Sequence, residues 1–473
     1  MRLSPDAHIH LIAACGTAMG SLAGMLRERG YRVTGSDASV YPPMSTMLKD
    51  LGIYLYEGFA AKHLQPAPDL VVVGNAVSRG NPEVEAALAA KIPYLSLPEV
   101  LRDLFIRGKR SVVVTGTHGK TTTTALAAHL FGAGGLDPSF LVAGLPQGTD
   151  RSYRLGQGEY FIVEGDEYDS AFFAKWAKFF YYLPEILIVN NIEFDHADIY
   201  RDLDEITKAF RQLVNTVPTN GLILANGADP HVAPLLPDAP APVQTFGLEE
   251  TAFWRACDIQ YGERGTRFNL LRDGEALGAF ELPMIGEYNI RNALAALATA
   301  AHTGLAPDRL QPALARFAGV KRRQEEVGHV SDILLIDDFA HHPTAVAQTL
   351  AGLARAHPHR RLLAVFEPAS ATNARALFED RYIEAFALAD ALIVTRVPRP
   401  ERARNDAPFS PQRLVQCLSA TGKTAHYLPD TESIAAHLAA QAQPGDLVVF
   451  MSNGAFGGLQ QKLRAKLQSQ HGS

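Results

Sequence analysis

The feature that most constrains this chain is a repeated order of short apolar runs, Gly-rich or polar turns and helical stretches, which begins afresh three times. Apolar strands separated by helices form parallel sheets, because each crossover helix returns the chain to the same edge of the sheet. The chain has 473 residues, more than a single hydrophobic core normally accommodates. The sequence therefore predicts an α/β protein of three domains, at residues 1–107, 108–320 and 321–473.

Composition and charge exclude several classes of function. The formal net charge is −6, whereas proteins that bind nucleic acid or anionic membranes carry a basic face. The three cysteines are too far apart for a disulfide framework or a Cys-x-x-Cys metal site. The first residues lack the apolar run of a signal peptide, and no apolar stretch reaches about 18 residues. We therefore expect a cytoplasmic protein with small-molecule substrates, no nucleic-acid partner and no membrane insertion.

The first block is arranged like a Rossmann-like nucleotide-binding unit. Its predicted strands are residues 8–13, 31–34 and 70–73. The first strand leads through the turn Cys15-Gly-Thr-Ala-Met-Gly20 into a helix, and the second ends at Asp37, where nucleotide-binding units carry an acid. Ala13, Cys15 and Ala18 stand where glycines of the dinucleotide fingerprint are expected. This departure disfavours NAD and leaves open a site for a nucleoside diphosphate.

The motif Gly116-Thr-His-Gly-Lys-Thr121 in the second block is the strongest chemical indication. It follows a predicted strand at residues 111–115 and precedes a small-residue helix, as a P-loop does. In such a loop Lys120 reaches the β- and γ-phosphates, and the Thr121 hydroxyl binds Mg²⁺. The alternative is a helix start that contains Gly-Lys-Thr by chance. Further strands are predicted at residues 160–163, 186–189 and 222–224, and an antiparallel insertion at residues 251–283.

Acidic residues follow two of these strands. Glu164 comes directly after one apolar strand, where a Mg²⁺ ligand lies in a parallel sheet. The segment that begins at Glu193 follows the next strand, and its His196 is a candidate ligand for a second cation. Three acids close to Glu164 could equally form a solvated acidic loop: Asp166, Glu167 and Asp169.

The third block places basic and acidic residues beside further predicted strands. These strands are residues 333–336, 362–366, 391–395 and 447–451. The pair Arg322-Arg323 precedes the first of them, and two guanidinium groups suit the neutralisation of a transferring phosphoryl group. After that strand, Asp338 could hold a ribose and His341 could orient a substrate. The pattern predicts a second doubly wound, Rossmann-like domain.

Taken in order, these segments resemble the Mur ligase family of peptidoglycan enzymes, and the resemblance covers nearly the whole chain. The segments that carry it are Gly116-Thr-His-Gly-Lys-Thr-Thr-Thr, Glu164-Gly-Asp-Glu, Asn191-Ile-Glu-Phe-Asp-His, Asn289-Ile-Arg-Asn292, Arg322-Arg323 and Asp338-Phe-Ala-His-His-Pro343. The family implies a ligase that uses ATP and Mg²⁺ to activate a carboxylate as an acyl-phosphate, which an amine then displaces. It also implies an N-terminal domain for a UDP-sugar and a central P-loop ATPase-like domain.

The resemblance implies roles for individual residues. ATP is expected between the central and C-terminal domains, on Gly116, Thr117, His118, Gly119, Lys120, Thr121, Thr122, Tyr288, Asn289, Asn292, Arg322, Arg323 and Asp338. Mg²⁺ is expected on Thr121, Glu164 and His196. The groups expected to act on the reacting atoms are Lys120, Glu164, His196, Arg323 and His341. The UDP-sugar is expected on Cys15, Gly16, Thr17, Met19, Ser36, Asp37 and Asn75.

Two activities within the family fit the N-terminal domain. One joins the tripeptide L-alanyl-γ-D-glutamyl-meso-diaminopimelate to UDP-N-acetylmuramate in peptidoglycan recycling, and the other joins L-alanine to the same sugar nucleotide. The alanine-adding activity would be expected with a fuller Gly-x-Gly-Gly turn after the first strand. Five segments are instead similar to the tripeptide-adding members: residues 15–20, 35–45, 74–82, 193–196 and 451–458. The peptide is expected to contact Ser452, Asn453 and Gly454.

A few positions depart from the family pattern or leave it open. Tyr288 stands where the family often has His, and its ring could still stack on adenine. Ala369 replaces an Arg that would hold peptide carboxylates. Some members carry a carbamylated lysine near Lys208. An alternative from another functional class is a P-loop ATPase without ligase activity. An NAD-linked oxidoreductase is a further alternative, which the P-loop disfavours.

Overall fold

The structure is a computed structural model that describes residues 3–40, 44–195, 199–370, 372–403 and 406–471. Three large sheets follow one another along the chain, each with its own helices. This arrangement confirms the predicted α/β class and the three domains. Within these residues, none of the helices combines the length and the apolarity that crossing a membrane requires.

The N-terminal domain is built from five short strands and four helices. In chain order they are β1 (His8–Ile12), α1 (Thr17–Glu28), β2 (Arg32–Asp37), α2 (Met44–Asp50), β3 (Tyr54–Glu57), β4 (Leu70–Val73), α3 (Pro82–Ala89), β5 (Tyr94–Ser96) and α4 (Leu97–Leu101). The strands pair in parallel in the order β3-β2-β1-β4-β5. Because this order reverses at β1, ligands are expected outside the carboxyl ends of β1 and β4.

The central domain contains the largest sheet. Its elements are β6 (Arg110–Thr115), α5 (Lys120–Ala133), β7 (Ser139–Leu141), β8 (Tyr153–Arg154), β9 (Tyr160–Glu164), β10 (Asp169–Ala171), β11 (Ala174–Ala177), β12 (Ile186–Val189), α6 (Leu203–Val214), β13 (Leu222–Asn226), β14 (Val243–Gly247), β15 (Trp254–Gly262), β16 (Gly265–Arg272), β17 (Glu275–Leu282), α7 (Glu287–His302) and α8 (Pro307–Ala315). The sheet order is β17-β16-β15-β14-β13-β12-β6-β9-β7-β8, and β10 pairs only with β11.

Two parts of the central sheet differ in strand direction. Strands β15, β16 and β17 pair antiparallel at one edge, which confirms the antiparallel segment predicted at residues 251–283. Strands β9, β6 and β12 are parallel neighbours, so their carboxyl ends lie along one edge of the sheet. Alternate side chains of β6 enter different apolar clusters, with Val113 on one face and Val112 and Val114 on the other. Burial on both faces fixes the register of β6 and hence the position of the P-loop that follows it.

The C-terminal domain has a six-stranded sheet. Its elements are β18 (Glu325–Val330), β19 (Ile333–Asp338), α9 (Pro343–Ala356), β20 (Arg361–Phe366), α10 (Glu379–Phe386), β21 (Ala391–Val394), α11 (Pro411–Ala420), β22 (Thr424–Tyr427), α12 (Thr431–Gln441), β23 (Asp446–Met451) and α13 (Leu459–His471). The order is β18-β19-β23-β20-β21-β22, and only the edge strand β18 pairs antiparallel. Because β19 and β23 are parallel neighbours, the segments after them meet at one edge.

Candidate active site

A cleft with a volume of about 1070 Å³ lies between the domains, beside segments that follow strand ends. Its walls come from all three domains: Thr17 lies in the N-terminal domain, the P-loop in the central domain, and Asp338 and Asn453 in the C-terminal domain. Small-molecule sites typically have volumes of about 300–1,000 Å³. This cleft therefore has room for more than one substrate.

The P-loop between β6 and α5 is shaped by two glycines with positive φ, Gly116 at 130° and Gly119 at 82°. A Cβ atom on Gly119 would lie 2.3 Å from Oδ1 of Asn292, so a larger residue would displace the loop. The backbone N–H of His118 donates to Oδ1 of Asn191 at 2.8 Å, which fixes the loop to the segment after β12. Among the described residues, no side chain caps the first turn of α5 at Gly119. The free N–H groups of that turn can therefore bind phosphate oxygens.

Lys120 is held in the cleft by two contacts. Its Nζ donates to the carbonyl of Gly116 at 2.6 Å and to Oε2 of Glu167 at 2.8 Å. Against the effect of burial, the carboxylate of Glu167 raises the pKa of Lys120, so the ammonium stays charged. The sequence left the role of Glu167 open, although its position shortly after β9 and Glu164 was the available indication. Glu167 is a positioning residue for the cation that the P-loop presents to phosphate.

Thr121 and Glu164 meet beneath the P-loop. Oγ1 of Thr121 donates to Oε2 of Glu164 at 3.0 Å, and Oε1 of Glu164 accepts from the N–H of Ala143 at 2.6 Å. Burial, reinforced by Asp166, raises the pKa of the Glu164 carboxyl to about 7. Mg²⁺ prefers oxygen ligands. The buried Glu164 carboxyl and the neighbouring Thr121 hydroxyl offer such ligands and therefore fit this ion.

Arg322 and Arg323 are adjacent in sequence but contact different parts of the protein. Nη2 of Arg323 donates to Oγ1 of Thr121 at 3.3 Å, so this guanidinium reaches the P-loop from the C-terminal side of the cleft. Arg322 has φ 62° and donates through Nη2 to the carbonyls of Ser452 at 2.6 Å and Gly454 at 2.5 Å. Arg323 is thus placed to contact phosphate, whereas Arg322 ties the C-terminal loop to the start of the domain.

The remaining residues predicted to bind ATP line the same part of the cleft. Both carboxylate oxygens of Asp338 accept backbone N–H groups, from Gln324 at 2.8 Å and Ala340 at 2.7 Å. Tyr288 contacts Oγ1 of Thr349 through its hydroxyl at 3.3 Å, with its ring at the cleft wall. The side chains of Asn289 and Asn292 are joined by a hydrogen bond, and Oδ1 of Asn292 accepts from Oγ1 of Thr123 in α5.

The residues predicted to contact the peptide have different environments. The side chain of Ser452 is buried and donates from Oγ to Oε2 of Glu367 at 2.5 Å. The carbonyl of Gly454 accepts from Arg322. Asn453 lies in the cleft wall, and its Oδ1 is buried without a hydrogen-bond partner. His341 also lines the cleft and its Nδ1 contacts the carbonyl of Phe339 at 3.0 Å. Asn453 is therefore the residue of this loop that is available to a substrate.

The predicted UDP-sugar residues lie at the carboxyl ends of β1, β2 and β4. The backbone N–H of Cys15 donates to Oδ2 of Asp37 at 2.8 Å, which joins the turn to the end of β2. Gly16 and Thr17 are exposed at the N-terminus of α1, and Thr17 lines the cleft. The other members are Met19 in the hydrophobic core, Ser36 buried against Glu83, and Asn75 exposed after β4.

One predicted residue and one residue with an open role remain. His196, predicted to bind a second cation, lies outside the described residues. Lys208, whose carbamylation the sequence leaves open, lies on α6 with an exposed side chain. The structure also shows a contact that the sequence did not indicate. Oγ1 of Thr372 donates to Oδ1 of Asp195 at 2.8 Å across the domain boundary.

The chain matches three domains of one family in order. Residues 8–109 match the Mur ligase family catalytic domain, residues 114–300 the Mur ligase middle domain, and residues 322–454 the Mur ligase glutamate ligase domain. The chain is 40% identical over 456 residues to the UDP-N-acetylmuramate–L-alanyl-γ-D-glutamyl-meso-2,6-diaminoheptandioate ligase of Escherichia coli, covering 96% of this chain and 97% of that protein. It is 36% identical over 468 residues to the UDP-N-acetylmuramate–L-alanine ligase of Burkholderia cenocepacia, covering 98% of each chain.

Solved structures show the same architecture. The murein peptide ligase of Psychrobacter arcticus is 36% identical, with a TM-score of 0.73 and coverage of 98% of both chains. The UDP-N-acetylmuramate–alanine ligase of Thermotoga maritima has a TM-score of 0.81 at 23% identity and covers 98% of this chain and 100% of its own, which shows the shared fold. With its three matched domains and these relatives, the chain belongs to the Mur ligase family.

Proposed function

We propose that this ligase joins the carboxylate of UDP-N-acetylmuramate to the amino group of L-alanyl-γ-D-glutamyl-meso-diaminopimelate, with conversion of ATP to ADP and phosphate. The observation that carries the proposal is the convergence of Lys120, Glu164 and Arg323 with Thr17 of the N-terminal domain on one cleft. The E. coli relative, at 40% identity, is named for the same tripeptide, which supports this acceptor.

The proposed reaction has two steps. A carboxylate oxygen of the muramate attacks the γ-phosphorus of ATP, the bond to the β-phosphate oxygen breaks, and ADP leaves. The peptide amine then attacks the acyl carbon, phosphate leaves with the bonding electron pair, and the amine loses a proton. Lys120 and Arg323 offset the negative charge of the transferring phosphoryl group, because fixed cations in a closed cleft need no reorganisation. Mg²⁺ on Thr121 and Glu164 would add a further positive charge at the phosphates.

A closed cleft also protects the intermediate. An acyl-phosphate that meets water is hydrolysed, so the walls must exclude water before the amine arrives. The hydrogen bonds of Arg323 to Thr121 and of Thr372 to Asp195 bring the central and C-terminal domains together around the site. The two domains therefore enclose the phosphates, and the amine is expected to enter beside the loop that carries Asn453.

The acceptor can be identified by measuring ADP release with ATP, Mg²⁺ and UDP-N-acetylmuramate. We expect turnover with the tripeptide at least about tenfold faster, as kcat/KM, than with free L-alanine, because the larger acceptor can make additional contacts with the C-terminal wall of the cleft. A preference for L-alanine would replace the proposed substrate with the alanine-adding activity. ADP release that needs neither the acid nor the amine would instead indicate an ATPase of another class.

Asn453 allows a sharper test of peptide binding. Its unpaired Oδ1 in the cleft wall is suited to accept a peptide N–H or ammonium proton, so Asn453→Ala should raise KM for the tripeptide about tenfold. The KM values for ATP and UDP-N-acetylmuramate should stay unchanged. Asn269→Ala, in the distant strand β16, is the matched control. An unchanged tripeptide KM in Asn453→Ala would remove this residue from the peptide site.

A further inference from the structure

A second cluster of ligand atoms lies beside the P-loop and includes His118, one of the residues expected to contact ATP. His118 in the P-loop, Glu193 after β12 and His342 before α9 place one nitrogen or oxygen atom each within 4.8 Å of one another. The first two belong to the central domain and the third to the C-terminal domain, so the cluster crosses a domain boundary. These residues are separate from Thr121 and Glu164, which are expected to hold Mg²⁺.

The distances within this cluster are close to those around a small metal ion. Oε2 of Glu193 lies 3.7 Å from Nε2 of His118 and 3.4 Å from Nδ1 of His342. Ligands bound to tetrahedral zinc at about 2.0–2.1 Å are about 3.3–3.4 Å apart, so small side-chain shifts would suffice. The two imidazole rings are also close, with centroids 4.8 Å apart. Three donors therefore lie near enough to converge on one ion.

The burial and the atom types of the cluster favour a cation. Nε2 of His118, the atom that faces Glu193, is buried and has no hydrogen-bond partner among the described residues. His342 is 1% exposed and faces Glu193 through Nδ1. Imidazole nitrogen and carboxylate oxygen are ligand types that zinc takes.

Neighbouring groups orient the cluster and also compete with an ion. Oγ1 of Thr344 donates to Oε2 of Glu193 at 2.7 Å, and Arg381 donates to that hydroxyl at 2.7 Å. Arg381 also lies 3.4 Å from the Glu193 carboxylate, but its side chain is 47% exposed and can move into solvent. Nδ1 of His342 accepts a long 3.3 Å bond from the N–H of Thr344, which coordination would replace.

We propose that His118, Glu193 and His342 form a binding site for one transition-metal dication of the zinc class. Two imidazoles and one carboxylate suit Zn²⁺, whereas Mg²⁺ prefers oxygen ligands alone. An ion held by these residues links the P-loop to the C-terminal domain. It therefore holds two walls of the cleft together without replacing Mg²⁺ at Thr121 and Glu164.

Zinc binding is measured on the full-length protein by dialysis against micromolar Zn²⁺ in millimolar Mg²⁺, followed by metal analysis. We expect about one zinc per chain in the wild type, retained in Glu164→Gln. In Glu193→Gln and His342→Asn, the dissociation constant for Zn²⁺ should rise at least about tenfold, so that these variants retain little zinc after dialysis. Asn at position 342 still caps α9, because Asn is a favoured N-cap residue. His359→Asn, at an exposed turn, is the control that should retain zinc.

Two further measurements separate this site from adventitious binding. Co²⁺ in place of Zn²⁺ should give the strong visible absorption of a four- or five-coordinate ion in the wild type and not in Glu193→Gln. Zinc should also raise the unfolding temperature of the wild type and not of Glu193→Gln. Absence of bound zinc in the wild type, or equal zinc in the wild type and Glu193→Gln, would overturn the proposal. These binding measurements do not depend on which amine the ligase uses.

Discussion

Two strand–turn–helix units of this chain share one plan but differ in the groups around the turn. In the central domain, the turn after β6 carries Lys120 and Thr121, and Glu164 ends the neighbouring strand β9. In the N-terminal domain, the turn after β1 carries Cys15, and Asp37 ends the neighbouring strand β2. Each acid accepts a hydrogen bond from its turn, at 3.0 Å from Thr121 and at 2.8 Å from Cys15.

The difference between the two turns is one of charge. The central turn has Lys120 within it and Arg323 beside it, so it can offset charge that moves during phosphoryl transfer. Residues 13–20 of the N-terminal turn include no lysine or arginine. A diphosphate there would be bound by backbone N–H groups and the helix dipole, which suffice for a group that does not react. Under the proposed function, the same plan would serve phosphoryl transfer in the central domain and nucleotide binding in the N-terminal domain.

The largest expected effect tests the charged turn. Lys120→Ala removes the ammonium group that lies beside the P-loop and contacts Glu167, so kcat should fall about 10³-fold. Binding of UDP-N-acetylmuramate, measured calorimetrically, should stay within about twofold, because the N-terminal turn is independent of Lys120. Lys109→Ala is the matched control, since Lys109 precedes β6 and donates to the carbonyls of Gly156 and Gly158. A comparable loss of kcat in Lys109→Ala would break the comparison.

The next effect tests the absence of cations at the N-terminal turn. Burial and then the carboxylate of Asp37 raise the pKa of Cys15 from 9.0 to about 11. The thiol therefore stays protonated at pH 8 and becomes reactive only as the pH rises toward 11. Iodoacetamide should alkylate Cys15 about 100-fold more slowly at pH 8 than a thiol with the unshifted pKa. Peptide mass spectrometry across a pH series measures this, and Asp37→Asn should speed the reaction.

An ordinary alkylation rate for Cys15 would mean that a positive charge reaches the N-terminal turn. The two turns would then be electrostatically similar. The difference between a reacting and a non-reacting phosphate site would have to come from Mg²⁺ binding alone. A free thiol peptide of the same local sequence supplies the reference rate in the same experiment. Denatured protein supplies a second reference, because unfolding removes both burial and the proximity of Asp37.

Several strands could be predicted from the sequence because their signal is local. The strands Leu70–Val73 and Ile186–Val189 were predicted to the residue, since short apolar runs between polar turns are unambiguous in a parallel sheet. Gly116, Lys120 and Thr121 lie within six consecutive positions, so their spacing alone indicated a phosphate site. The roles of these three residues toward bound substrates remain a prediction.

Contacts between residues far apart in the sequence could not be predicted in the same way. Arg322 meets Ser452 across 130 positions within the C-terminal domain, and Thr344 meets Glu193 across 151 positions between two domains. No local pattern encodes such pairs, because they depend on how distant elements pack. The edge strand β18 was also missed, since its half-exposed, polar sequence differs from a buried apolar run. The different contacts of Arg322 and Arg323 could not be predicted for the same reason. The two residues are adjacent, but Arg322 contacts the C-terminal domain and Arg323 contacts the central domain.

A smaller effect tests whether the N-terminal turn binds the sugar nucleotide. Asp37→Ala removes the acceptor that holds the Cys15 N–H, so the turn loses its fixed orientation. KM for UDP-N-acetylmuramate should rise about tenfold, equivalent to about 1.4 kcal/mol, while kcat and KM for ATP change little. Steady-state kinetics with each substrate varied in turn separate these constants. Asp50→Ala, at the end of α2, is the control. A change confined to KM for ATP would place the nucleotide of the reaction in the N-terminal domain.

The smallest effect concerns the glycine that the N-terminal turn lacks. Ala13 stands where a glycine was expected, and it has φ 65°, a conformation that disfavours a residue with a Cβ atom by about 1 kcal/mol. Ala13→Gly should therefore stabilise the N-terminal domain by up to about 1 kcal/mol, less the entropy that glycine adds to the unfolded chain. Ala14→Gly is the matched control. Ala14 is fully buried and packs against Gly35, so removal of its methyl group should destabilise the domain. Urea unfolding followed by hydrogen exchange of β1 and α1 measures both changes. A destabilised Ala13→Gly would mean that the methyl group contributes more through packing than it costs in backbone strain, and the turn would then be fixed by its side chains, as the central turn is.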